Sequence, residues 1–185
     1  MSLIQFDVKR EGWQSPSEPV RSSSPFPGWH AINRIVIHYP GADWSSMDMD
    51  RDGDIDRSDT AVLLRNTQHY YLTQRGYSIG YNAAVASIKG HDGDGLSYEL
   101  RGDDFKCAAN VEVNGDSFAI NVLVDGDAPA TPKAVRKVRF LVAQARYLAG
   151  KPLPIVGHFQ VGSTSCPGAG IKAQLARGAF EPRVK

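Results

Sequence analysis

His38 closes the apolar run Ile35-Val36-Ile37, and His158 follows Pro154-Ile155-Val156-Gly157. Cys166 comes eight residues later, in Gly162-Ser163-Thr164-Ser165-Cys166-Pro167-Gly168. Two neutral imidazoles and a thiolate suit Zn²⁺, and three protein ligands leave the fourth tetrahedral position to water, which distinguishes a catalytic site from a closed structural one. Zinc held in this way polarises an amide carbonyl and brings the pKa of its water down to about 7, so hydrolysis is its natural use. The spacing alone does not bring the three side chains together, and isolated histidines are more often structural.

A second constellation is Asp48-Met49-Asp50-Arg51-Asp52-Gly53-Asp54-Ile55-Asp56-Arg57-Ser58-Asp59. It follows the EF-hand loop pattern D-x-D-x-D-G-x-I, with Asp56 at the ninth position and Asp59 at the twelfth. Six aspartates in twelve residues repel one another unless a cation is present. The reading is a structural Ca²⁺ loop with a modest final ligand, since Asp reaches less far than Glu; the bland alternative is an acidic, solvated loop. With Tyr39-Pro40-Gly41 close upstream, no incoming helix is expected.

These residues need elements to position them. Ile35-Val36-Ile37 reads as a strand buried on both faces and delivers His38 to its end. Ala61, Leu64, Tyr71 and Leu72 recur at helical spacing from Thr60 to Arg75, with Ser58 or Asp59 as N-cap and Gly76 as stop. Ile79 to Ser87 and Leu96 to Leu100 flank Lys-Gly-His-Asp-Gly-Asp-Gly and read as a hairpin. Phe118, Ile120, Val122 and Val124 alternate like a strand with one buried face. Thr131-Pro132 opens a helix whose stripe Val138, Leu141, Val142, Ala145 and Leu148 ends at Gly150. A strand over Pro154 to Gly157 delivers His158, and a short helix covers Ile171 to Ala176. The fold class is α/β, a central mixed β-sheet flanked by helices.

The 185 residues suit one domain, read as residues 31–185 with the calcium-loop insertion at 48–59. Residues 10 to 29 are rich in Ser, Pro and Gly and lack periodicity, so the N-terminal 1–30 reads as an arm, either laid over that domain or partly disordered. A net charge of +1 gives no electrostatic case for nucleic acid. No apolar window is long enough to span a membrane, and Met1 to Asp7 lacks the apolar stretch of a signal peptide, so synthesis in the cytoplasm is expected. His30, His69 and His91 read as surface or hydrogen-bonded histidines, Cys107 as a small buried apolar residue, and Tyr70 and Tyr71 as packing residues. Lys133, Arg136, Lys137 and Arg139 read as a solvated helix face.

The segments Ile35-Val36-Ile37-His38, Arg75-Gly76-Tyr77-Ser78-Ile79-Gly80-Tyr81-Asn82 and Gly157-His158 through Ser165-Cys166-Pro167-Gly168 stand in the order found in the type-2 N-acetylmuramoyl-L-alanine amidases. The chain resembles that family, which includes phage lysins and peptidoglycan recognition proteins, over residues 34 to 168. The resemblance implies the zinc-amidase fold, His38, His158 and Cys166 as zinc ligands, and Tyr81 beside the metal, hydrogen-bonding the attacking water or the scissile amide. Thr164, the other catalytic candidate the resemblance implies, stands where some phage members have lysine and other active members threonine.

Two departures from the family pattern bear on mechanism. A Trp-His-Ala-Gly type segment that contributes to the substrate groove is replaced by Lys106-Cys107-Ala108-Ala109. A glutamate that some members carry in the following strand aligns with Leu123, leaving the base to Tyr81 and the metal or to a residue such as Glu112. The expected activity is hydrolysis of the amide between N-acetylmuramic acid and L-alanine in peptidoglycan, by a monomer of the phage endolysin kind acting on the wall after release. A non-catalytic peptidoglycan-binding module and a cytoplasmic muropeptide-recycling amidase are the rival expectations.

Overall fold

A computed structural model describes residues 2–41, 48–54 and 56–183. Five strands form one sheet: β1 (Arg34–His38), β2 (Ala83–Ala86), β3 (Ser97–Glu99), β4 (Ser117–Leu123) and β5 (Ile155–Gly157). Their order is β3-β2-β4-β1-β5, with only β3 antiparallel to its neighbour, so the sheet is mixed. Helices α1 (Arg57–Tyr70), α2 (Pro132–Ala149) and α3 (Gly168–Ala176) complete the fold. No described helix is long and apolar enough to cross a membrane.

The sheet divides the interior into two cores. Ile35, Ile37, Phe118, Ile120 and Val122 share one with the α2 stripe Val138, Leu141, Val142 and Ala145. On the other side, Ala84, Ala86 and Leu123 meet Leu64 of α1 together with Trp13 and Val20. β4 is therefore buried along its whole length, not on one face as its alternation suggests. The even positions carry the large apolar groups, while Ala119, Asn121 and Leu123 occupy the face that α1 covers.

Helix α1 begins earlier than its apolar spacing predicts. Asp56 is the N-cap, accepting the Ser58 N–H at 2.6 Å, and Asp59 returns the contact by accepting the Asp56 N–H at 2.7 Å. This reciprocal box satisfies donors that a helix start leaves open, which neither Ser58 nor Asp59 does alone. After Tyr70 the last turn widens over Tyr71–Arg75 and stops at Gly76, whose φ of 73° is left-handed. Helix α3 starts three residues before the apolar signal at Ile171, because the Cys166 loop runs directly into it.

The N-terminal arm is part of the packing. Val8 hydrogen-bonds both Ser97 and Glu99 beside the outer edge of β3, and the Trp13 indole donates to Glu99 O at 2.7 Å. Covering an edge strand in this way protects it from pairing with another chain.

Candidate metal centre and adjoining cleft

His38 and His158 meet because β1 and β5 are parallel neighbours. Ile37 pairs with Gly157, so both chains leave the sheet side by side. The two imidazole centroids lie 4.6 Å apart. Cys166 joins them from the loop before α3, its Sγ 3.6 Å from His38 Nδ1. One ligand atom from each of the three falls within 4.8 Å of the others.

That loop is tied down on both sides. Cys166 O accepts the Phe159 N–H at 2.9 Å, which couples it to the turn carrying His158. Gly170 N donates to Asp127 O at 3.0 Å, and Asp127 Oδ1 accepts from Ala169 N at 2.7 Å, fixing the start of α3. The exposed Thr164 uses its hydroxyl to accept the Cys166 N–H at 3.2 Å.

Burial sets the protonation states. It pushes His38, only 1% exposed, down to about 3, with His158 adding to the effect, so the ring is neutral. Burial also lowers His158. The Cys166 thiol is pushed up to about 11 by burial, against small opposing effects of the Tyr39 backbone and Lys172. Two neutral imidazoles and a thiol that ionises only beside a positive charge fit a divalent metal of the zinc type. His38 Nε2, on the ring edge away from Cys166, is buried and without a hydrogen-bond partner.

Tyr81 stands beside this cluster, its ring centroid 5.0 Å from that of His38. Burial and the neighbouring Tyr71 hold its hydroxyl well above the usual tyrosine range, so it is a neutral donor. The segment that carries Tyr81 is pinned by Arg101, whose guanidinium donates to Ile79 O, Ser78 O and Lys106 O. Asn82 next to it donates to Gly102 O and Phe105 O and accepts from Ala119 N.

A cavity of about 500 Å³ lies on the other side of Tyr81, lined by Leu63, Leu64, Tyr70, Tyr71, Tyr81 and Asn121 among others. Tyr70, 48% exposed, lines this cavity, and Tyr71 lines it while packing against the second core as expected. Asn121 is opposite His38 in the β1–β4 register, is buried, and has an unpartnered Oδ1. Its polar type hid it within an apolar alternation. Leu123 is buried in the core beneath α1, and Glu112 is exposed on the loop before β4.

The aspartate loop converges only in part. Asp48, Asp50 and Asp52 offer carboxylate oxygens within 4.8 Å of one another, and Gly53 N donates to Asp48 Oδ2 at 3.0 Å. The Asp56 and Asp59 side chains are engaged at the start of α1, where Asp59 also accepts from Met49 N at 2.6 Å. Asp54 is exposed, and Ile55 lies outside the described residues.

No family model matches the chain. Peptidoglycan-recognition protein SC2 of Drosophila simulans is 32% identical over 146 residues, covering 76% of this chain and 70% of the relative. The chain belongs to the peptidoglycan-recognition protein family. Among solved structures, bumblebee PGRP-SA superposes with a TM-score of 0.72 at 21% identity, covering 91% of this chain and 92% of that one. Peptidoglycan recognition protein LE in complex with tracheal cytotoxin, a monomeric diaminopimelic acid-type peptidoglycan, gives 0.67 at 23% identity, with 90% and 91% covered. At these identities the superpositions establish the mixed-sheet fold.

Proposed function

We propose that the chain is a zinc-dependent N-acetylmuramoyl-L-alanine amidase, hydrolysing the amide between N-acetylmuramic acid and L-alanine in peptidoglycan as a monomer. The observation that carries this reading is the convergence of His38, His158 and Cys166, with Tyr81 standing both beside His38 and in the wall of the neighbouring cavity. Family membership and the cytotoxin-bound neighbour support peptidoglycan as the ligand.

His38, His158 and Cys166 would hold the metal, which supplies Lewis acidity to a carbonyl and to water. The chain's own residues then bind and orient. Tyr81, which keeps its proton, donates a hydrogen bond to the carbonyl oxygen as charge develops there. Tyr70, Tyr71 and Asn121 line the adjoining cleft, where amide and hydroxyl groups suit a substrate built of peptide and amino sugar. Thr164 holds the Cys166 loop and presents its hydroxyl near the surface.

Mass spectrometry of peptidoglycan incubated with zinc-loaded protein tests the activity, beside Cys166→Ala and a chelated control. Free stem peptides with an L-alanine N-terminus, released only by the intact protein with metal, are expected. Wall that stays uncut while zinc binds stoichiometrically makes the chain a binding module instead. Preference for soluble muropeptides over intact wall would favour the recycling role. The named relatives are insect recognition proteins, and they lend no support to the phage source.

The same proposal keeps Ca²⁺ for the loop at Asp48, Asp50 and Asp52, with the Asp54 carbonyl as the natural fourth oxygen. Asp56 and Asp59 then serve the loop through α1. Calcium titration followed by thermal unfolding should raise the midpoint, and Asp50→Ala should abolish the rise; an unchanged midpoint in the native chain dismisses the ion.

A further inference from the structure

His38 has a neighbour that no sequence pattern pointed to. Its Nδ1 faces Cys166 Sγ, so Nε2 lies on the opposite edge of the ring, buried and unpartnered. The Asn110 side chain lies against this imidazole and opposes the effect of burial on it. Asn110 is itself only 1% exposed, and its Oδ1 is likewise buried without a partner.

The rest of Asn110 is fixed. Its backbone N–H donates to Asn114 Oδ1 at 2.8 Å, and its Nδ2 donates to Cys107 Sγ at 3.6 Å. Burial pushes the Cys107 thiol up to about 11, so it is protonated, and it donates to Asn114 O and Oδ1 at 3.5 and 3.4 Å. With its only proton directed to Asn114, the sulfur can only accept from Asn110. That choice orients the amide and leaves Oδ1 for the imidazole.

A neutral imidazole has one bare nitrogen and one N–H. A metal needs the bare one, and the other ring nitrogen, when buried, needs an acceptor. We propose that Asn110 Oδ1 accepts the Nε2 proton of His38 and so holds the ring in the tautomer whose Nδ1 lone pair faces His158 and Cys166. Asn110 is a positioning residue, itself held by Cys107 and Asn114. Cys107 is thus more than a small apolar filler. The loop that departs from the family pattern at Lys106–Ala109 supplies this support. The inference rests on the metal reading above and is independent of whether the chain cuts peptidoglycan.

Zinc affinity by chelator competition, measured on the native chain, Asn110→Ala, Asn110→Asp and Asn121→Ala, tests it together with ¹⁵N NMR of the histidine tautomers in the metal-free protein. Asn110→Ala should bind zinc about 10- to 100-fold more weakly, the usual effect of losing such a support. Asn110→Asp keeps an acceptor and should restore most of the affinity. Asn121→Ala, which removes the other unpartnered amide near His38, should leave it unchanged. The native His38 should carry its proton on Nε2. An Asn110→Ala affinity equal to the native one, an equal loss in Asn110→Asp, or the loss appearing in Asn121→Ala overturns the assignment, as does an Nδ1–H tautomer. If Asn110→Ala fails to fold, Asn110→Asp and the native tautomer decide. Should the native chain not bind zinc, the metal reading falls and the tautomer alone judges the Asn110 contact.

Discussion

Replacing Cys166 by alanine should change how many protons leave the protein when zinc binds. Burial puts the Cys166 thiol at about 11, so at pH 7 it is protonated, and it must lose that proton to become a ligand. His38, at about 3, has no proton to lose anywhere near neutrality, and His158 is also lowered. The sign follows: zinc affinity rises with pH, tenfold per unit for each proton released, up to the thiol's own pKa. Between pH 7 and pH 9 the thiol contributes about 100-fold. Titration calorimetry in buffers of different ionisation enthalpy counts the protons directly. The native chain should release one more than Cys166→Ala, and its plot of log affinity against pH should be steeper by one. Equal proton counts would refute the reasoning, because Cys166 would then be either no ligand or already ionised.

Tyr81→Phe keeps the ring against His38 and removes one buried donor, so kcat on peptidoglycan should fall about 100- to 1,000-fold while zinc content, read by atomic emission, stays at the native level. In Gly170→Ala the added Cβ would stand 2.4 Å from the Ala128 and Pro129 backbone. Helix α3 and the Cys166 loop must shift, which should lower stability by about 1–3 kcal/mol in denaturant unfolding and weaken zinc binding as well. Asn82→Ala leaves Gly102 O, Phe105 O and Ala119 N without their buried partner. At about 1–3 kcal/mol for each stranded group, calorimetry should show a marked fall in the melting temperature.

The β1 strand was legible because Ile35-Val36-Ile37 is apolar on both faces, and α2 because Thr131-Pro132 and Gly150 bracket an unbroken stripe. The start of α1 was harder: Asp56, Ser58 and Asp59 are all competent caps within four residues, and only the reciprocal contact between Asp56 and Asp59 selects among them. The three ligand positions were found through the order of family segments, since nothing in their spacing fixes which strands are neighbours. Asn110 and Asn121 were invisible for a related reason. A polar residue carries no periodic signal, and whether it is buried beside His38 depends on strand register and loop path. Tyr71 packs against the second core as its helical spacing predicts, but that spacing cannot show that the last turn widens and that Tyr70 and Tyr71 also line a cavity.

The site depends on the sheet in two separable ways. His38 and His158 are placed by the parallel pairing of β1 with β5 and β4, so a one-residue slip of β1 would carry His38 to the face packed against α2. Such a slip would also put Val36 where Ile35 and Ile37 now fill the first core, so core burial guards this half of the site. Cys166 depends on a different set of contacts, the hydrogen bonds joining Phe159, Asp127 and the start of α3, a helix whose Ile171 reaches the first core. Damage there can remove the thiolate while the imidazoles keep their places. Zinc bound by all three would join the two sets, and its binding free energy would add directly to the stability of the loop that the core does not secure.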